Sequence, residues 1–284
     1  MADHPSSKNL DSSPTKNINY TPRHFLLTKN LELSPAFKRL FEFLKIDPKE
    51  YDTVEHAHNY CQKNFVRPKG VERNNIVPHK LDSIYDQLEP YFNDLEMIEP
   101  IIPSGQYKYL CFNGQSLAQM RRQMEFISKN KKLISYEKII FAAGERVISN
   151  IDDGDPLYGR EDVKLETDGA QLLLDQYFPG EDGIVIHATT KGTNLERPNT
   201  RSTILEWFKS NPKPGPILMV SNNPFIGYQY LTWFIALSEK NWFKEGGSLD
   251  MCGDSIRKYR SNKVAVTLDN IARELNVEIA ASKI

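Results

Sequence analysis

The stretch Tyr107-Lys108-Tyr109-Leu110-Cys111-Phe112-Asn113-Gly114-Gln115-Ser116 opens a pattern that the chain then repeats. A short apolar run ends in small polar residues, and an amphipathic segment follows. After it, Leu117, Met120, Met124 and Ile127 fall on one helical face. The same sequence of events recurs at Ala143-Gly144-Glu145-Arg146, at His187-Ala188-Thr189-Thr190-Lys191-Gly192 and at Ser221-Asn222-Asn223-Pro224. Alternating strands and helices imply a parallel sheet, because each parallel pairing needs a crossover of helical length. The spacing predicts strands over 107–112, 138–143, 183–187, 216–220 and 248–252. It predicts helices over 167–178, 199–208, 226–237 and 267–275. Five strands with intervening helices are expected to form an α/β, three-layer Rossmann-like domain with a mainly parallel sheet.

Upstream, the reading changes. Residues 1–24 hold few large apolar side chains and read as a flexible tail. Residues 25–100 read as a helical cap on the α/β domain, which is expected to span 101–284. Ser34-Pro35 starts a capped helix with Phe37, Leu40, Phe41 and Leu44 on one face. A second helix is expected from Asp47-Pro48 towards Cys61, and a third over 81–95 with an interruption near Pro90.

Composition excludes several classes. The 284 residues carry a formal net charge of −1, which is a poor match to the clustered basic surface that nucleic acid requires. Three widely spaced cysteines, Cys61, Cys111 and Cys252, make no disulfide framework and point to a reducing compartment. No apolar run reaches the length a bilayer demands, and the first residues lack the apolar centre of a signal peptide. A soluble, cytoplasmic protein is the expectation. Ser282-Lys283-Ile284 lacks the terminal leucine of the usual peroxisomal address.

Ligands of parallel sheets bind beyond the carboxyl ends of the strands, so the junctions are where chemistry is sought. Asn113-Gly114-Gln115-Ser116 offers a tight turn and a helix N-terminus to an anion, with Arg121 and Arg122 one turn further on; it also reads as an ordinary capped turn. Glu145 and Arg146 form either an acid–base or ribose-orienting pair, or a surface ion pair. Helix capping accounts for Asp168 and less well for Glu166. Residues 189–201 crowd Lys191, Asn194, Arg197 and Arg201 around the helix start at Asn199 and Thr200, which favours an anion or sugar subsite. Ser221, Asn222 and Asn223 offer both donors and acceptors, and Phe225 or Tyr228 a stacking face; the competing reading puts the aromatics in the core. His56 and His58, two apart on a helix, do not share a face and make poor joint metal ligands. No metal site, P-loop or catalytic-serine elbow is legible.

The block Arg197-Pro198-Asn199-Thr200 before a helix, followed by Val220-Ser221-Asn222-Asn223-Pro224-Phe225-Ile226-Gly227-Tyr228-Gln229 after the next strand, is similar to the bacterial DUF218 group. The sequence also resembles the atypical ADP-ribosylhydrolases of bacterial secreted effectors. Both likenesses cover roughly 107–253. The second implies a metal-independent hydrolase that needs no cofactor and acts on an ADP-ribosylated protein, with arginine as the modified residue. It implies that amides near Asn113, Gly114 and Ser116 cradle the diphosphate, with Arg121 and Arg146 nearby. Asn194, Arg197, Asn199, Thr200, Ser221, Asn222 and Asn223 would hold the distal ribose and second phosphate, and Tyr228 or Phe225 would stack on the ligand. Glu145, Glu166 and Asp168 are the candidates for the catalytic carboxylate. An effector role would place the protein in a host cell by a route without a cleaved signal. The alternatives are a nucleotide-binding module without turnover and a transferase that uses S-adenosylmethionine or a nucleotide.

Overall fold

A computed structural model describes residues 23–68, 81–149, 152–190, 198–258 and 262–284. In chain order the elements are α1 (Pro35–Phe43), α2 (Val54–Asn64), α3 (Tyr85–Asp94), β1 (Gly105–Asn113), α4 (Leu117–Asn130), β2 (Ile134–Gly144), α5 (Glu166–Tyr177) and β3 (Gly183–Ala188). They continue with α6 (Thr200–Phe208), β4 (Pro216–Asn222), α7 (Ile226–Glu239), β5 (Ser248–Asp254) and α8 (Lys263–Ala281).

The five strands form one sheet in the order β3-β2-β1-β4-β5, and every pairing is parallel. Strand polarity follows from the sequence. The strand interiors are apolar on both faces, as a sheet covered on both sides requires. Leu110, Phe112, Ile139, Phe141, Leu218 and Val220 point to a core shared with α4 and α5. Tyr109, Cys111, Ile140, Ala142, Ile217 and Met219 point to the opposite core, with Trp207 of α6 and Trp233 of α7. The result is a three-layer Rossmann-like fold. The chain builds outward from β1 through β2 to β3, then crosses back to β4 and β5. The switch point therefore lies between the carboxyl ends of β1 and β4.

A further helical layer covers α7. Phe37, Leu40, Phe41, Ala57, Cys61, Leu88 and Phe92 of α1–α3 share one core with Val264, Leu268, Ile271 and Leu275 of α8. Ile101 exchanges two backbone hydrogen bonds with Gly253, so the segment before β1 covers the outer edge of β5. Among the described residues no helix is long and apolar enough to cross a membrane.

Local chemistry explains where the elements start, and three expectations need correction. Ser34 caps α1 by accepting from the Phe37 amide at 3.2 Å. The second helix does not run continuously from Asp47: a single 3-10 turn at Pro48–Glu50 ends, and Thr53 restarts the chain as the cap of α2. α3 is not interrupted at Pro90. The proline lacks the N–H that would donate to Asp86, but both residues are exposed, where water replaces the lost bond. The last helix is much longer than 267–275, because its buried face continues from Val264 to Ala281.

Candidate functional site

The sequence placed its ligand groups at the strand ends, and the fold brings most of those residues to one end of the sheet. Their side chains, however, are largely engaged with the protein. Asn113 is buried. Its amide N–H donates to Gln123 Oε1 (3.1 Å), its Nδ2 donates to Val220 O (2.8 Å), and its Oδ1 accepts from Trp233 Nε1 (2.8 Å). Asn113 thus brackets β1, β4, α4 and α7 together. Gly114 is dictated by contact: a Cβ there would lie 2.0 Å from Glu166 Oε1 and 2.8 Å from Ala143 Cα.

The N-terminus of α4 is the position where many α/β folds receive a phosphate. Here a carboxylate of the protein fills it. Ser116 makes no side-chain cap, and Asp152 Oδ1 accepts from the Leu117 amide at 2.7 Å, while Oδ2 accepts from Ser149. Arg121 is likewise spoken for. Its Nε and Nη2 each donate to Asp155 at 2.9 Å, and Nη1 donates to Gln176. Both acids come from the loop between β2 and α5, which the sequence showed as acidic without revealing what it covers.

The three carboxylate candidates separate sharply. Glu145 is exposed beyond β2. Asp168 accepts from the Lys164 and Leu165 amides and completes a capping box on α5. Glu166, the first residue of α5, is buried between the ends of β1 and β2. It accepts from Arg146 Nε at 2.8 Å and from the Gly144 amide at 3.2 Å, and Arg146 also donates to Gln115 O. Burial pushes the Glu166 carboxyl above its ordinary value, while Arg146 and the Gly144 amide pull the other way.

Asn199 caps α6 through the Ser202 amide (2.9 Å), with Thr200 as its first helical residue. Pro198 packs on Gly144, where a Cβ would meet it at 2.5 Å. Arg201 forms an exposed pair with Glu239. Asn194 and Arg197, with Lys191 between the same elements, lie outside the described residues.

At the end of β4, Ser221 donates to Gln229, and Asn223 Nδ2 donates to Glu99 O at 2.6 Å. Asn222 Nδ2 donates to both the backbone and side-chain oxygens of Gln119, each at 3.0 Å. Phe225 is buried, and Tyr228 is half-buried on the first turn of α7. Gln119 and Asp254, not singled out in the sequence, converge here with Arg122. Gln119 accepts from Arg122 as well as Asn222, and Arg122 donates to Ser255 O (2.8 Å) beside Asp254 at the end of β5. Asp254 shares its signal with the other junctions, a polar residue closing an apolar strand. Gln119 lies inside a helix and had no such signal.

His56 and His58 contact Asp52 and Asn276 respectively, and do not converge. Among the described residues no cluster of three metal-ligating side chains occurs. A cavity of about 290 Å³, lined by Tyr107, Tyr230, Leu249 and Asp250, lies near the start of β5 and away from these junctions. Comparison with protein-family models, with curated proteins and with solved structures yields no match for this chain.

Proposed function

We propose that this protein is a hydrolase that releases ADP-ribose from a modified protein side chain, with arginine as the acceptor and Glu166 as the carboxylate at the reacting centre. The observation that supports this reading is the setting of Glu166. Of the three acidic candidates, it alone is buried at the strand ends and fixed by a guanidinium. Cleavage of an N-glycosidic bond passes through an oxocarbenium-like state, which a held carboxylate stabilises or supplies with activated water. Glu166 accepts two hydrogen bonds, and an ionised carboxylate has room for about four. The substrate class rests on the likeness of the junction motifs to the ADP-ribosylhydrolases.

A second reading, a nucleotide-binding module without turnover, draws support from the same residue. Glu166 lies against Gly114 and pairs with Arg146, a placement that also serves to tie β1 and β2 to α5. Calorimetric titration with ADP-ribose, ADP and S-adenosylmethionine, followed by release assays on ADP-ribosylated arginine peptide, separates the two. The hydrolase reading expects preferential ADP-ribose binding and turnover that Glu166→Gln abolishes while binding survives. Binding without turnover in the unaltered protein establishes the module. Failure to bind ADP-ribose sinks both, and preference for S-adenosylmethionine points to a transferase.

A further inference from the structure

The carboxamide of Gln115 stands apart from every other amide at the strand ends. Its Oε1 and Nε2 are both shut off from water, and neither has a hydrogen-bond partner. Asn222, fully buried, has a similar deficit: Nδ2 is spent on Gln119, and Oδ1 is unpartnered. Folded proteins satisfy nearly all such atoms, because an unmade hydrogen bond costs the full desolvation of the group. At the same strand ends Asn113 and Asn223 both find backbone carbonyls. The two exceptions flank the same turn. Gln115 precedes α4 by two residues, and Asn222 binds Gln119 within the first turn of α4, next to the switch point.

We propose that Gln115, with Asn222 at the end of the neighbouring strand, reads a planar ligand edge that carries one N–H donor next to one acceptor. A glutamine amide meets such an edge through two parallel hydrogen bonds, as glutamine and asparagine do with the amino edge of adenine. The same pattern occurs in a primary carboxamide of the nicotinamide type. The Oδ1 of Asn222 accepts from a further ligand N–H, the second proton of an amino group. Asp152 already occupies the N-terminus of α4, so the group recognised here is neutral and planar rather than a phosphate. This deepens the nucleotide reading of the strand-end site and rests on it only for the place where the ligand binds.

The test titrates the full chain with adenosine, with purine riboside, which lacks the amino group, and with nicotinamide riboside, and follows the unfolding temperature. Adenosine or nicotinamide riboside is expected to bind and raise Tm, with purine riboside weaker by about tenfold or more. The preferred one of the two identifies the source of the edge. Gln115→Met is expected to erase the discrimination against purine riboside without lowering the ligand-free Tm, since it removes unsatisfied atoms. Gln115→Leu, which removes the donor and the acceptor together, serves if the methionine variant does not fold; it is expected to lose the same discrimination. Equal affinity for adenosine and purine riboside without preference for nicotinamide riboside overturns the proposal. So does binding of none of the three, or unchanged discrimination in the variants. None of these probes is a substrate for release of ADP-ribose from protein, so a negative hydrolase assay leaves this result standing, and the reverse.

Discussion

At the carboxyl ends of the strands, Glu166 and Asp155 each face an arginine and Asp152 faces a helix N-terminus; on α8, Glu274 and Glu278 face neither. Glu278 instead gathers the amides of Phe25, Leu26 and Leu27, with His24 Nδ1 at 3.3 Å. Glu274, one turn earlier, accepts from Asn270, and its Oε1 is buried without a hydrogen-bond partner. Burial raises both carboxyls, Glu274 far above the usual range, and for Glu274 the neighbouring Glu278 raises it further. The contrast is not one of depth. Asp269, on the same helix and buried as well, meets Arg67 and Arg273 and is held below the ordinary value despite the opposing effect of burial. On this one helix the acid that meets two guanidinium groups is held below the ordinary carboxyl value, and the two that meet none are raised above it.

The comparison can be broken most forcefully at Glu166. Glu166→Ala strands the partly buried Arg146 and leaves the Gly144 amide unmade, so a loss of about 3 kcal/mol is expected in denaturant unfolding. A change below ~1 kcal/mol would show that the pair is not a structural tie. Next in size is Asp152→Ala, which uncaps α4. It should cost about 1–2 kcal/mol, with Asp152→Asn recovering part of it. An unaffected unfolding midpoint would mean that another group caps the helix.

The smallest and most pointed effect belongs to α8. Glu274 has its folded pKa raised above the unfolded value, so its protonated form carries the stability, which is lost as pH rises through the folded value. Glu274→Gln mimics that form. The variant should match the parent near pH 5 and exceed it increasingly towards alkaline pH, reaching about 2–4 °C in Tm if ionisation costs on the order of 1 kcal/mol. A pH-independent offset between the two proteins would refute the assignment of a protonated Glu274.

The strands and helices of the α/β core were legible because period and polarity are local properties. Leu110, Phe112 and Leu117 announce their faces to near neighbours. Asn199 was legible for the same reason, since its partner Ser202 is three residues away. The side-chain fates at the site were not, because their partners are distant in the chain. Asn113 reads as an available amide until Val220, 107 residues later, takes its donor and Trp233, 120 residues later, takes its acceptor. Asp152 lies 35 residues from the helix it caps, with a whole strand between them. Pro90 misled for a different reason: its cost depends on exposure, which the tetrapeptide around it does not encode.

The shared core of α1–α3 and α8 has a consequence for biosynthesis. Phe37, Phe41 and Phe92 leave the ribosome well before Val264, Leu268 and Leu275 exist to cover them. The helices α1–α3 therefore wait, apolar face open, while the sheet is synthesised, until α8 covers them. Such a delay leaves apolar surface open on the nascent chain, and α8 is the element that closes this core.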